Sequence, residues 1–143
     1  MKLPLVEEFF TIQGEGYHAG EAAWFIRLGG CDVGCNWCDS RFSWDPDMHP
    51  MVKTDKIIEH AVHSGTKSVV VTGGEPLMWN LDYLCVGLKN KKICTFIETS
   101  GAYPISGEWD WICLSPKRNM PPAGNICLEA DELKVIIETS DDF

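Results

Sequence analysis

The sequence predicts an α/β fold built on a parallel β-sheet. Three observations carry that expectation. Short apolar runs recur, each ended by glycine or proline; helical patterns separate the first three; and the residues with unusual chemistry sit directly after the runs. Strand, helix, strand, helix, strand implies parallel pairing with right-handed crossovers. In such sheets ligands bind at the carboxyl ends of the strands.

The elements follow in order. Residues 22–28 (AAWFIRL) form the first predicted strand, and the segment 45–50, with two prolines, is a loop. A helix over 54–63 (TDKIIEHAVH) places Ile57, Ile58, Ala61 and Val62 on one face behind Thr54 as N-cap, and Gly65 stops it. Residues 67–72 (KSVVVT) are the second strand. A helix over 80–88 groups Leu81, Leu84, Cys85 and Leu88 and is weakened by Gly87. Strands at 93–99 (ICTFIET), 109–114 (WDWICL) and 132–137 (ELKVII) follow, with a turn at 121–125 and a solvated acidic tail, ETSDDF.

Composition bounds the rest. A chain of 143 residues suffices for one domain, expected to span 1–143. No apolar run approaches the roughly 20 residues that cross a bilayer, and the opening MKLPLVEEFF turns acidic too early for a signal peptide, so a cytoplasmic protein without membrane contact is expected. The net charge of −9 argues against direct binding to nucleic-acid phosphates and favours a small-molecule partner. In that setting, seven cysteines are metal ligands or buried side chains before they are disulfides.

Three of them stand together in RLGGCDVGCNWCDSRFSWD. Cys31, Cys35 and Cys38 can converge on one centre, with glycines beside them to let the backbone wrap it. Structural zinc and iron–sulfur clusters normally take four protein ligands, so three leave one position for an exogenous ligand or require a distant fourth such as His49. Cys85, Cys94, Cys113 and Cys127 lack ligand spacing and read as buried small hydrophobes; His18, His49, His60 and His63 read as surface residues. Gly73-Gly74-Glu75-Pro76 after the second strand lets a backbone approach a ligand, and Pro76 suits a first helical turn.

The Cys-x3-Cys-x2-Cys spacing with Trp37 before the last cysteine resembles the signature of radical S-adenosylmethionine enzymes, and Gly73-Gly74-Glu75 is similar to their GGE motif. The resemblance implies an incomplete parallel β/α barrel, with a [4Fe–4S] cluster on the three cysteines and S-adenosylmethionine on its open iron. The cofactor's ammonium would meet the carboxylate and backbone carbonyls of the GGE turn, with Gly74 the contact carried over.

A narrower resemblance covers residues 7 to 137. Phe9-Phe10-Thr11-Ile12-Gln13-Gly14-Glu15-Gly16, Arg27 ahead of the first cysteine and Cys38-Asp39-Ser40 are similar to the signature of 7-carboxy-7-deazaguanine synthases. This family implies ring contraction of 6-carboxy-5,6,7,8-tetrahydropterin with loss of ammonia, started by a 5′-deoxyadenosyl radical, in the synthesis of queuosine and related 7-deazapurines. It implies substrate contacts at Ile12, Gln13, Gly14, Arg27 and Thr72. It implies cofactor contacts at Trp37, Asp39, Gly74, Ser115, Pro116 and Lys117, and Mg²⁺ on Ser40, where the family has threonine. An electron donor such as flavodoxin or ferredoxin and a homodimer are implied as well. Arg27 reads equally as a strand-end ion pair, and Gln13 and Glu15 as a solvated turn. Family members continue past LKVII, so the chain is expected to be shortened at its carboxyl end. Two other readings stay open: an activating enzyme that makes a glycyl radical on a partner protein, and a zinc-stabilised binding module.

Overall fold

A computed structural model describes residues 1–137, 139 and 140; the tail proposed from residue 138 lies largely outside the described residues. Seven strands form one sheet in the order β3-β1-β2-β4-β5-β6-β7. The strands are β1 (Lys2–Ile12), β2 (Ala22–Leu28), β3 (Met51–Lys53), β4 (Ser68–Gly73), β5 (Cys94–Thr99), β6 (Trp111–Leu114) and β7 (Glu132–Leu133). The helices are α1 (Thr54–His63), α2 (Asp82–Asn90) and the single turn α3 (Ile126–Glu129). From β2 through β7 every pairing is parallel, as expected.

The first two unpredicted elements are β1 and β3, which extend the sheet by antiparallel pairing. Pro4, the adjacent Glu7 and Glu8 and mixed burial along β1 hide the alternation that identifies a half-buried strand. A bulge lets Leu5 oppose Leu28 while Glu7, two residues on, opposes Arg27. Without the extra residue, Val6 would face Arg27. The bulge therefore keeps Leu5 on the core side and puts a carboxylate beside Arg27.

One sheet face packs against the helices. Ile26 and Leu28 of β2, Val69 and Val71 of β4, Ile97 of β5 and Ile112 and Leu114 of β6 join Ile57, Ala61, Leu84 and Leu88 of α1 and α2 in one core. Burying each such side chain contributes about 1.5–3 kcal/mol. Gly87 has a packing role, since a Cβ there would lie 2.3 Å from Ile58 Cδ1; the glycine lets α2 approach α1. The opposite face carries Ala23, Val70, Phe96, Phe25 and Trp111, and beyond them the polar residues of the cleft.

The loop 13–21 between β1 and β2 reaches to the far end of the sheet. Tyr17 N–H donates to Glu132 at 3.4 Å, the Tyr17 ring stacks on Trp111 with centroids 4.8 Å apart, and Lys134 pairs with Glu15 at 2.8 Å. An open sheet is thereby strapped from its first hairpin to its last strand, which gives the partial barrel its shape.

Several expectations need correction. Thr54 is not the N-cap of α1: Lys53, still paired with Lys2 in β3, holds that position, and Thr54 Oγ1 is buried without a partner among the described residues. The segment 45–50 contains a 3₁₀ turn, Pro46–Met48, capped by Asp45. The last strand ends at Leu133 because the chain then leaves the sheet, and Val135 and Ile136 line the cleft. Cys94 is exposed, since it opens β5 at the sheet end away from the cleft, and Cys127 is exposed on α3. Cys85 and Cys113 are buried, and burial pushes their thiols up to about 12 and about 11. His18 is no surface residue: its ring stacks on Phe96 at 4.4 Å and meets Trp111 edge-on.

Candidate active site

The carboxyl ends of β2, β4, β5 and β6 open into a cleft of about 680 Å³. Sequence-expected residues meet there from distant parts of the chain: Ile12 at the end of β1, Gly14 of the loop 13–21, Arg27 of β2, Thr72 of β4 and Gly74 just after it, and Ser115 and Lys117 after β6. Cys31, Cys35, Cys38, Trp37, Asp39 and Ser40 line the same cleft. Two expected residues do not. Gln13 is held by backbone bonds to Glu21 and Gly20, with its side-chain oxygen buried and without a partner among the described residues, and Pro116 faces an adjoining cleft formed with Arg118 and Asn119.

The cysteine loop is held by its neighbours as well as by its own turns. Gly30 and Cys31 donate backbone bonds to Ser43 and Trp44, and Trp79 Nε1 donates to the Gly29 carbonyl at 2.8 Å. The Tyr103 hydroxyl donates to Asp32, and Asn119 donates to the Gly34 carbonyl at 3.1 Å. The Arg41 guanidinium donates to the Asn36 carbonyl, bracing the turn between the second and third cysteines. Cys38 Sγ lies 3.6 Å from Ser40 Oγ. Burial raises the Cys31 thiol, with the charges of Glu75, Cys35 and Cys38 adding to the effect against a backbone hydrogen bond at Val33.

These residues suit a cluster better than a single ion. Among the described residues, no three His, Cys, Asp or Glu side chains are gathered tightly enough to hold one metal ion. A cubane asks for something different, because each cysteine binds its own iron across an inorganic core. Three soft thiolate donors in one cleft wall match that need. The glycine turn lies directly against them: a Cβ on Gly74 would fall 2.3 Å from the Gly30 carbonyl oxygen and 2.8 Å from Cys31 Cβ. The turn is pinned by Gly74 N–H to Leu28 and Glu75 N–H to Gly30.

Glu75 is engaged by the chain itself. Its carboxylate is buried and points to β5, where it accepts from Ser100 N–H at 2.8 Å, from the Ser100 and Thr99 hydroxyls, and from Leu77 N–H at 3.0 Å. Past β6, Lys117 donates to Ser115 and lies 5.5 Å over the Trp37 ring, and burial lowers its ammonium below the usual lysine range.

The opposite wall is polar. Arg27 Nε donates to Glu7 at 2.7 Å, with the guanidinium 6.0 Å over Phe42, and Thr72 Oγ1 donates to Glu98 at 3.0 Å. Sequence reasoning missed Lys134 in the cleft wall and Glu7 as the partner of Arg27, and it left Glu98, which also lines the cleft, without a role. Glu98 had a signal in its place at a strand end; Lys134, inside an apparent strand, had none.

Comparison with known proteins agrees with this geometry. The sequence matches the radical SAM superfamily over residues 25–113. It is 57% identical to the 7-carboxy-7-deazaguanine synthase of Flavobacterium psychrophilum and 49% identical to that of Synechocystis, covering 99% and 98% of this chain and 67% of each relative. The fold superposes on a crystal structure of QueE from Escherichia coli with a TM-score of 0.88 at 32% identity, covering 99% of this chain and 73% of that one. The chain belongs to the 7-carboxy-7-deazaguanine synthase family of the radical SAM superfamily.

Proposed function

We propose that this protein converts 6-carboxy-5,6,7,8-tetrahydropterin to 7-carboxy-7-deazaguanine with loss of ammonia. The observation that carries the reading is the meeting of the three-cysteine loop, the Gly74 turn and Arg27 in one cleft. Cys31, Cys35 and Cys38 would hold the [4Fe–4S] cluster. The Gly74 turn, Trp37, Asp39, Ser115 and Lys117 would bind S-adenosylmethionine, with Pro116 bordering the adjoining cleft. When bound, cluster and cofactor supply a radical that abstracts hydrogen.

The chain's own residues do the positioning. Arg27 meets Glu7 through Nε, which leaves the N–H groups of its two terminal nitrogens outside that bond and suited to a substrate carboxylate. Ile12, Gly14 and Thr72 border the same space, and Thr72 turns the Glu98 carboxylate toward a ring edge of N–H donors. Gln13 contributes through the backbone of the strap, which its bonds to Gly20 and Glu21 stiffen. Ser40 supplies an oxygen for Mg²⁺, which needs one or two protein ligands beside substrate and water. Phe9, Phe25, Val33, Trp44 and Ile136 add apolar wall that limits water near a reactive intermediate.

One sheet joins the described residues, which supports a single domain. We also infer an external one-electron donor such as flavodoxin or ferredoxin, a homodimer and a cytoplasmic setting; among the described residues no helix is long and apolar enough to cross a membrane. The test is anaerobic iron–sulfide reconstitution followed by turnover with S-adenosylmethionine, reductant and the pterin. Formation of 7-carboxy-7-deazaguanine supports the reading. A reconstituted protein that cleaves the cofactor and leaves the pterin unchanged overturns it.

A further inference from the structure

Glu75 follows the two glycines of the cofactor turn and borders the same cleft beside Thr99 and Ser100, yet its carboxylate is taken up by the chain itself. It is 1% exposed. Both oxygens are engaged by the chain: Oε1 by Leu77 N–H and the Thr99 hydroxyl, Oε2 by the N–H and hydroxyl of Ser100. The two hydroxyls cannot reverse roles freely. Thr99 Oγ1 already accepts from Gly101 N–H at 2.9 Å and Ser100 Oγ from Ala102 N–H at 3.3 Å, so their protons are committed to Glu75. Four donors facing two oxygens are the complement of a carboxylate.

The backbone of the same residue faces the cluster loop. Glu75 N–H donates to the Gly30 carbonyl at 2.7 Å, immediately before Cys31, and Gly74 N–H donates to Leu28 at 3.0 Å. A Cβ on Gly74 would strike Gly30 and Cys31, so the turn and the cysteine loop are in van der Waals contact with no slack between them. Glu75 therefore joins two structures that no strand pairing connects: through its side chain the end of β5, through its backbone the start of the cysteine loop.

We propose that Glu75 is a positioning residue, which anchors the glycine turn to the end of β5 and so sets the seat of both cluster and S-adenosylmethionine, without itself contacting the cofactor's ammonium. This deepens the functional reading and rests on it. A direct ammonium contact would require at least one oxygen to leave its two donors, stranding buried N–H or O–H groups.

The test uses the reconstituted wild-type protein beside Glu75→Gln and Ser100→Ala. Two quantities are measured without pterin: the rate at which a chelator strips iron in the absence of S-adenosylmethionine, and the S-adenosylmethionine dissociation constant. In Glu75→Gln an amide N–H₂ meets groups that donate, so the turn shifts. Iron loss becomes several times faster before any cofactor is added, and the dissociation constant rises at least tenfold, equivalent to about 1.4 kcal/mol. Ser100→Ala, which removes one hydroxyl donor and keeps the carboxylate, moves both quantities the same way by less, and keeps the test available if Glu75→Gln does not fold. Weakened cofactor binding with wild-type iron loss makes Glu75 an ammonium contact and overturns the proposal. So does a Ser100→Ala protein that matches wild type in both measurements. Wild-type protein that takes up no cluster overturns the functional reading instead.

Discussion

Glu7 stands opposite Arg27 because β1 carries one extra residue, and the two side chains meet at 2.7 Å, with Arg27 lining the cleft. The pair fixes the guanidinium from one side and leaves its terminal nitrogens for a ligand. Arg27→Lys keeps the charge but loses the planar fork. Its kcat/KM for the pterin is expected to fall roughly 10- to 100-fold, while cluster content and cofactor affinity stay at wild-type values. Steady-state kinetics beside iron analysis checks this, and an unchanged kcat/KM removes Arg27 from substrate binding.

Gly74→Ala tests the contact between turn and cysteine loop. The added methyl would meet a backbone carbonyl and Cys31 Cβ, neither of which can rotate away. Displacement of the reacting groups by about 1 Å is worth roughly a hundredfold in rate. The expected outcome is at least that loss in turnover together with reduced iron uptake. Turnover within a few fold of wild type would show that the turn does not bear on the site.

Ser40→Ala tests the magnesium ligand. The hydroxyl lines the cleft close to Cys38. Removing one of the few protein oxygens available to Mg²⁺ is expected to raise the concentration needed for half-maximal activity about tenfold. A magnesium titration of both proteins decides it.

Asp110 gives a stability test with a defined pH dependence. Partial burial would raise its carboxyl, but bonds from Thr95 N–H at 2.8 Å and from the Lys89 ammonium outweigh that and hold it below the usual aspartate value of 3.8. A carboxyl lowered on folding contributes stability that is complete above its unfolded pKa and is lost as pH falls through its folded one. Asp110→Ala is expected to lower stability by about 1 kcal/mol at pH 7, since buried Thr95 loses its acceptor. The gap between the two proteins narrows below about pH 4. Denaturant unfolding of both at pH 7 and pH 3 measures the narrowing, and a constant gap removes ionisation as the cause.

Local pattern accounts for what the sequence by itself determined. Helix α1 begins and ends where its apolar spacing and Gly65 place it, β2 matches its predicted bounds, and β4, β5 and β6 begin within one or two residues of theirs. The cysteine spacing and the glycine turn were readable for the same reason: each is a short stretch whose residue types already state their chemistry. The expectation that unusual residues follow the strands placed Cys31, Cys35, Cys38, Gly74, Ser115 and Lys117 around one opening, which Arg27 and Thr72, expected from the family resemblance, also line.

Only the tertiary structure decided the rest, because it depends on contacts between residues far apart in the chain. No local pattern tells that the bulge near Val6 selects Glu7 for Arg27, or that β1 and β3 pair at all. Nor does one tell that the strap reaches Glu132 and Lys134, or that Val135 and Ile136 line the cleft while Gln13 does not. Glu75 is the sharpest case. The sequence places its carboxylate one residue past two glycines and suggests a ligand; the fold supplies four donors from β5 and its own turn, and those donors settle its direction. A buried carboxylate goes where its hydrogen bonds are, and here two of the four come from Ser100, 25 residues away.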